Sequence, residues 1–190
     1  MTLEDIKKEM GKRLNDPDLT QFRGLVGNAF IQAICDLIAK GEYQPEDIPD
    51  LMVDDAISTT FDNWEATYTI PSETQRFLDV YLDTTDLMQS GLTLKRVDHS
   101  EVKRIQLEPA FAPSHTECFW YRVRDRVHFI LSKDYVEATP PSWEFIMLSI
   151  KNPDPDDWTS EVDLISDKGY SRNFLYSCIN KAVDSLRGAG

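Results

Sequence analysis

Residues 118–131 read Cys118-Phe119-Trp120-Tyr121-Arg122-Val123-Arg124-Asp125-Arg126-Val127-His128-Phe129-Ile130-Leu131. Aromatic and β-branched residues in alternation suit a pleated surface. Two such runs, 119–123 and 126–131, are separated by two residues, and this spacing predicts a hairpin, although Arg124-Asp125 lacks the glycine that short hairpin turns favour. Working outward, further strands are expected at 58–61, 65–70, 77–82, 92–97 and 143–150. The last of these is bounded by Pro140-Pro141 and by Asn152-Pro153-Asp154-Pro155. Residues 98–105 predict one or two helical turns, with Ser100 as the cap.

Helical periodicity flanks this β region on both sides. Leu3, Ile6, Met10 and Leu14 form a narrow stripe, and Thr2 with Asp5 has the form of a capping box. Asn15-Asp16-Pro17-Asp18 then breaks the chain. A long helix is predicted over 19–40, because Phe22, Val26, Phe30 and Ile34 recur with their neighbours at three and four residues. Gly41 is its C-terminal cap. Gly24 and Gly27 inside it each cost about 1 kcal/mol relative to Ala, marking either a close backbone approach or simple tolerance. Residues 42–55 are acidic and punctuated by proline, with one short helix after Pro45. A short helix is predicted over 158–166. A longer one covers 171–186, with Ser171 as N-cap and Phe174 and Ile179 on its apolar face.

The fold class predicted is α+β: N- and C-terminal helices forming a small helical bundle with an inserted antiparallel β region. Residues 1–55 would be the N-terminal helical part, 56–157 the insertion, and 158–190 the return to the helices, all in one compact subunit. Phe22, Val26, Phe30, Ile34, Phe174 and Ile179 are the residues expected either to pack the bundle or to form a subunit interface.

The 190 residues carry 33 acidic and 20 basic side chains, for a net charge of −13. That balance argues against wrapping nucleic acid, which needs clustered Lys and Arg. It is compatible with solubility alone, and with lining a passage through which DNA slides. No run of about 18 apolar residues spans a membrane, and the first residues lack the apolar core of a signal peptide, so a protein kept in the cytosol, or assembled there into something larger, is expected. Cys35, Cys118 and Cys178 are far apart; Cys35 and Cys178 fall on apolar faces of predicted helices, and core packing is the expected role of these two.

No catalytic or metal-binding constellation emerges. His99, His115 and His128 lack ligand spacing. An EF-hand counted from Asp154 would hold Thr159 where Gly is needed and Ile165 where Glu is needed. Ser114-His115 near Cys118 lie in a loop beside Pro113, not in a triad arrangement. The sequence therefore predicts no cofactor, no metal and no enzymatic activity. Lys95-Arg96, Lys103-Arg104 and the alternating Arg122, Arg124 and Arg126 are the basic spots. The last three, beside Trp120 and Tyr121, suit either single-stranded nucleic acid or the acidic surface of a neighbouring subunit; the net charge favours the second.

The opening "MTLEDIKKEMGKRLNDPD" and "FRGLVGNAFIQAICDLI", the middle "YTIPSETQRFLDVYL" and "LTLKRVDHSEVKRI", the paired strands "FWYRVRDRVHFIL" and the closing "DLISDKGYSRNFLYSCINKAVDSL" resemble, in order and spacing, the head–tail adaptor (connector) proteins of short-tailed bacteriophages. The likeness spans nearly the whole chain. It implies a structural virion protein that forms a homo-oligomeric ring, usually a dodecamer, beneath the portal of the DNA-filled head. Such a ring is assembled in the bacterial host cytoplasm and sits at the head–tail junction. It binds the portal protein, extends a channel through which DNA passes without specific binding, and offers the attachment surface for tail nozzle or tail fibre proteins, with no membrane involved. The resemblance implies that Leu186, Arg187, Gly188, Ala189 and Gly190 dock on the portal; Arg122, Arg124 and Arg126, from their charge, are expected to meet the tail or a neighbouring copy. Two other readings stand beside it: another virion ring protein (a stopper or nozzle), and an acidic cytosolic binding or immunity module.

Overall fold

Thr2 caps the first helix, α1 (Leu3–Arg13): its hydroxyl accepts from the Asp5 N–H while the Asp5 carboxylate accepts from the Thr2 N–H. Two N–H groups that helix geometry leaves orphaned are thereby satisfied. The computed structural model describes residues 1–22, 24–62, 64–82, 93–132, 142–159 and 161–188. Leu92, Ala189 and Gly190 lie outside them.

The second helix, α2, runs Val26–Lys40 and ends on Gly41 in the left-handed region (φ 74°). It starts seven residues later than the apolar periodicity suggests. Leu19 stands in the left-handed region (φ 52°), which a right-handed helix cannot include. The Asp16 carboxylate holds the turn that follows, accepting from the backbone N–H groups of Thr20, Gln21 and Phe22 and from the Thr20 hydroxyl. Phe22 consequently lies on a half-buried turn before the helix. Burial opposes ionisation of Asp16, but the bonds from Gln21, Thr20 and Phe22 outweigh it and hold the carboxyl below its ordinary range. Neither Gly24 nor Gly27 meets a tight approach. A Cβ at Gly24 would touch nothing within 4 Å, and one at Gly27 only Lys7 Cε at 4.0 Å.

The chain forms two compact units: Met1–Val53 with Ile150–Gly190, and Asp54–Ser149. Residues 150–157, read from sequence as part of the insertion, therefore belong with the helices. In the helical unit, α2 packs on the closing helix, which spans Arg172–Gly188, and α1 lies against both. Ser171 caps the closing helix by accepting from the Phe174 N–H (3.2 Å). Val26, Phe30, Ile34, Phe174 and Ile179 are all buried here, so they pack the bundle within one chain. An edge-to-face series joins Phe30, Trp158 and Tyr170 at 6.3 and 5.9 Å, and Tyr170 stacks on Phe174 at 6.4 Å. Asp36 pairs with Lys181 at 3.6 Å across the two long helices.

The helix expected over 158–166 does not form; its described residues make turns. Asp163 decides this. Its carboxylate accepts from the Met1 ammonium and from the N–H groups of Ser166 and Ile165, which together hold it well below the usual carboxylate range. Two short 3₁₀ turns, Pro45–Asp47 and Pro49–Leu51, stand in the acidic segment.

The other unit is a β-sandwich. Its strands are β1 (Met52–Thr60), β2 (Glu65–Thr69), β3 (Thr74–Leu82), β4 (Thr93–Arg96), β5 (Glu117–Val123), β6 (Arg126–Leu131) and β7 (Ser142–Lys151). One sheet has the order β1-β7-β3 and the other β2-β6-β5-β4. Their inner faces share a core that includes Ile57, Phe77, Trp120, Phe129, Phe145 and Met147. Phe129 stacks on Phe145 at 4.0 Å between centroids. The insertion is not wholly antiparallel, because β4 pairs with β5 in parallel. A short helix, α3 (Val102–Leu107), covers the outer face of the larger sheet with Val102 and Ile105 over Phe119, Tyr121 and Ile130. Asp98, and not Ser100, caps the 3₁₀ turn that leads into it; Ser100 donates to Asp98. The closing helix of the bundle is α4.

Phe129→Ala is expected to cost about 3–5 kcal/mol by urea denaturation, as a large aromatic lost from a core. The Tyr170 hydroxyl is buried with no hydrogen-bond partner among the described residues, and burial, then Asp50 and Cys178, push its ionisation up. Tyr170→Phe is therefore expected to raise stability by about 1 kcal/mol, by removing an unsatisfied group; a loss of that size would show that the hydroxyl is paired.

Candidate functional site

The hairpin read first in the sequence forms with the expected register: Val123 opposes Arg126, and Cys118 opposes Leu131. Arg124 stands in the left-handed region at φ 55°. A positive φ at the first central position of a two-residue turn is the place that favours glycine, and a side chain there costs roughly 1–2 kcal/mol. Arg122 Nε donates to the Arg124 carbonyl at 2.8 Å, and the Arg122 guanidinium lies 5.1 Å from the centre of the Phe77 ring. The structure thus brings Arg122, Arg124 and Arg126 together as exposed residues around one tip. Thr69, Ile70, Pro71, Ser72, Thr74, Arg122 and Asp125 line an open hollow, and the Ile70 N–H donates to the Asp125 carbonyl at 2.7 Å.

The other basic spots join a second surface. The parallel register sets Lys95 beside Phe119 and Arg96 beside Trp120. Because strand side chains alternate, Lys95 lies over Phe119 on the outer face (5.5 Å) and Arg96 over Trp120 on the inner side (5.4 Å). Arg104 on α3 sits 3.5 Å from the ring centre of Phe111. Each exposed contact of this kind contributes about 0.5–1 kcal/mol. Between them lies a cleft of about 310 Å³ lined by Lys95, Val97, Arg104, Ile105, Phe111 and Phe119, with Glu101 and Glu117 also on its wall. The charges were visible in the sequence. Their aromatic partners were not, because a parallel pairing with β5 has no local sequence mark.

On the same outer face Tyr121 stacks on His128 (4.7 Å, 7° between planes) and His99 leans on Tyr121 (5.7 Å). Thr67 Oγ1 contacts His128 Nδ1 at 3.1 Å. Burial, with Arg126 and His99 adding to it, pulls the His128 imidazole down against the opposing Glu65 carboxylate. The thiols suit packing. Burial pushes Cys118 up to about 12, and also raises Cys178 and the half-buried Cys35. A protonated thiol is a poor nucleophile and a poor metal ligand. Among the described residues, no cluster of three or more His, Cys, Asp or Glu is arranged to hold a metal ion, and no helix is long and apolar enough to cross a membrane.

No family model matches this chain, and no curated protein matches it. The geometry alone must therefore speak for the site. It offers exposed guanidinium and ammonium groups held over aromatic rings, which can pair with carboxylates or phosphates. Of the residues expected at the C-terminal docking segment, Leu186 is buried in the bundle, so it is a core residue. Arg187 is exposed and donates to the Arg13 carbonyl, and Gly188 ends α4.

Arg124→Gly is expected to raise stability by about 1 kcal/mol in a denaturation experiment, by relieving the left-handed side chain. If the tip binds an anionic partner, the same variant binds it less tightly. A variant that is less stable than the parent would show that Arg124 is held by contacts the turn geometry does not reveal.

Proposed function

We propose that this protein is a structural virion subunit, the head–tail adaptor of a short-tailed bacteriophage, which forms a ring on the portal. The single observation that carries the reading is the division of the chain into a helical unit closed by both its ends and a β-sandwich inserted between them. That division matches the order of motifs on which the resemblance rests. In this reading the helical unit packs against the portal and neighbouring copies. The sandwich reaches toward the tail, where the cations of the hairpin tip meet carboxylates of a nozzle or fibre protein or of the next copy. Charged contacts of this type steer assembly and fix its register more than they add affinity. The net charge of −13 supports the same reading, since an acidic wall repels the DNA backbone and lets it slide.

The test is electron cryo-microscopy of the purified chain mixed with the portal protein encoded beside it. The expected result is a closed ring of this chain stacked coaxially on the portal. A chain that remains a lone monomer across a range of salt concentrations, with no portal contact, would overturn the proposal in favour of an acidic binding module.

A further inference from the structure

α3 and the turn before it are fastened to the outer face of the larger sheet along their length. On that turn, His99 leans on the Tyr121 ring at 5.7 Å. Val102 and Ile105 follow, over Phe119, Tyr121 and Ile130. Near the end of α3, Gln106 Nε2 donates to Glu65 Oε1 on β2 at 2.6 Å. Ala66 enters the core, so its neighbours Glu65 and Thr67 face outward.

His128 lies among these contacts. Its ring stacks on Tyr121, the same ring that His99 touches, and its Nδ1 lies 3.1 Å from Thr67 Oγ1. The titratable and charged groups that face it come from each element packed against it: Glu65 from β2, Tyr121 from β5, His99 from the turn before α3, and Arg126 from its own strand. Tyr121 stays neutral, because burial and then the Glu65 carboxylate push its ionisation up. The carboxylate beside His99 is Asp98, which already accepts from the Ser100 N–H and hydroxyl. Arg126 and His99 therefore oppose a proton on His128, and Glu65 attracts one. Glu65 is also the acceptor that Gln106 uses.

We propose that His128 is a pH-sensitive release for α3: neutral, it stacks on Tyr121 and leaves Glu65 to Gln106; protonated, it draws Glu65 from Gln106 and sets a cation beside Arg126 and His99. Release uncovers Phe119, Tyr121 and Ile130, so mild acid opens an apolar face that is closed at neutral pH. The device is independent of the ring reading above. Its direction follows from the folded state's preference for neutral His128, set first by burial. A depressed imidazole binds fewer protons in the folded than in the unfolded chain. Its contribution to stability is present in full above the ordinary imidazole pKa of about 6.5 and is lost as pH falls below it.

Hydrogen exchange of the full chain at about pH 7.5 and about pH 5.5, either side of the histidine range and corrected for the intrinsic pH dependence of exchange, tests this. Residues 99–107 are expected to lose protection at the lower pH. α2 and α4, which contain no histidine, are expected to keep theirs. His128→Phe retains a ring for Tyr121 and cannot take a proton, so it is expected to abolish the loss. A loss no larger at 99–107 than in α2 and α4, or one that persists in full in His128→Phe, would overturn the proposal. Should that variant not fold, the titration of the His128 ring proton by NMR decides. Its midpoint is expected below the ordinary value in the parent and higher in His99→Phe; a midpoint that is the same in both would overturn the proposal.

Discussion

β1 and β7, the first and last strands of the insertion, are hydrogen-bonded neighbours in one sheet, and without that pairing the helical unit would have to close over a free loop. The core joining Phe30 on α2 to Trp158, Tyr170 and Phe174 draws on both ends of the sequence. Holding such ends together across an unstructured segment of roughly a hundred residues costs about 4 kcal/mol in chain entropy. A folded insertion whose entry and exit strands are adjacent has already met most of that cost. Within the sandwich, Ile57, Phe77, Trp120, Phe129, Phe145 and Met147 belong to one core cluster.

The hairpin and the caps were legible because their signals are local. Two alternating runs around Arg124-Asp125, the Thr2–Asp5 capping box, Gly41 at a helix end and Ser171 at a helix start all act within a few residues. Where sequence and structure differ, the backbone departs from what the side-chain faces suggest. Leu19 in the left-handed region keeps α2 from beginning there, and Asp163 takes the N–H groups of Ile165 and Ser166 that a helix after Trp158 would use. Apolar periodicity cannot report that competition, because it reads side-chain faces and not the destination of backbone N–H groups. The parallel pairing of β4 with β5 was illegible for another reason: its partners are set by the tertiary fold, and no turn chemistry announces it.

The site was legible as charge and illegible as geometry. Arg122, Arg124 and Arg126 do converge on one tip, yet the strain is concentrated at Arg124, where a glycine would be easier. A local rule broken without a packing gain points to use of the side chain. Of the residues singled out from the stripes, Val26, Phe30, Ile34, Phe174 and Ile179 are consumed in packing within one chain, and Phe22 stands on the turn before α2. On the sandwich, the slipped alternation of β3 and the end of α3 turn Tyr81 and Leu107 outward.

The proposal of a ring subunit that binds the portal through its helical unit is open to one direct measurement: hydrogen exchange of the intact chain, alone and mixed with the portal. Binding is expected to slow exchange in the helical unit. Exchange that is unchanged throughout the chain after mixing with the portal would contradict it.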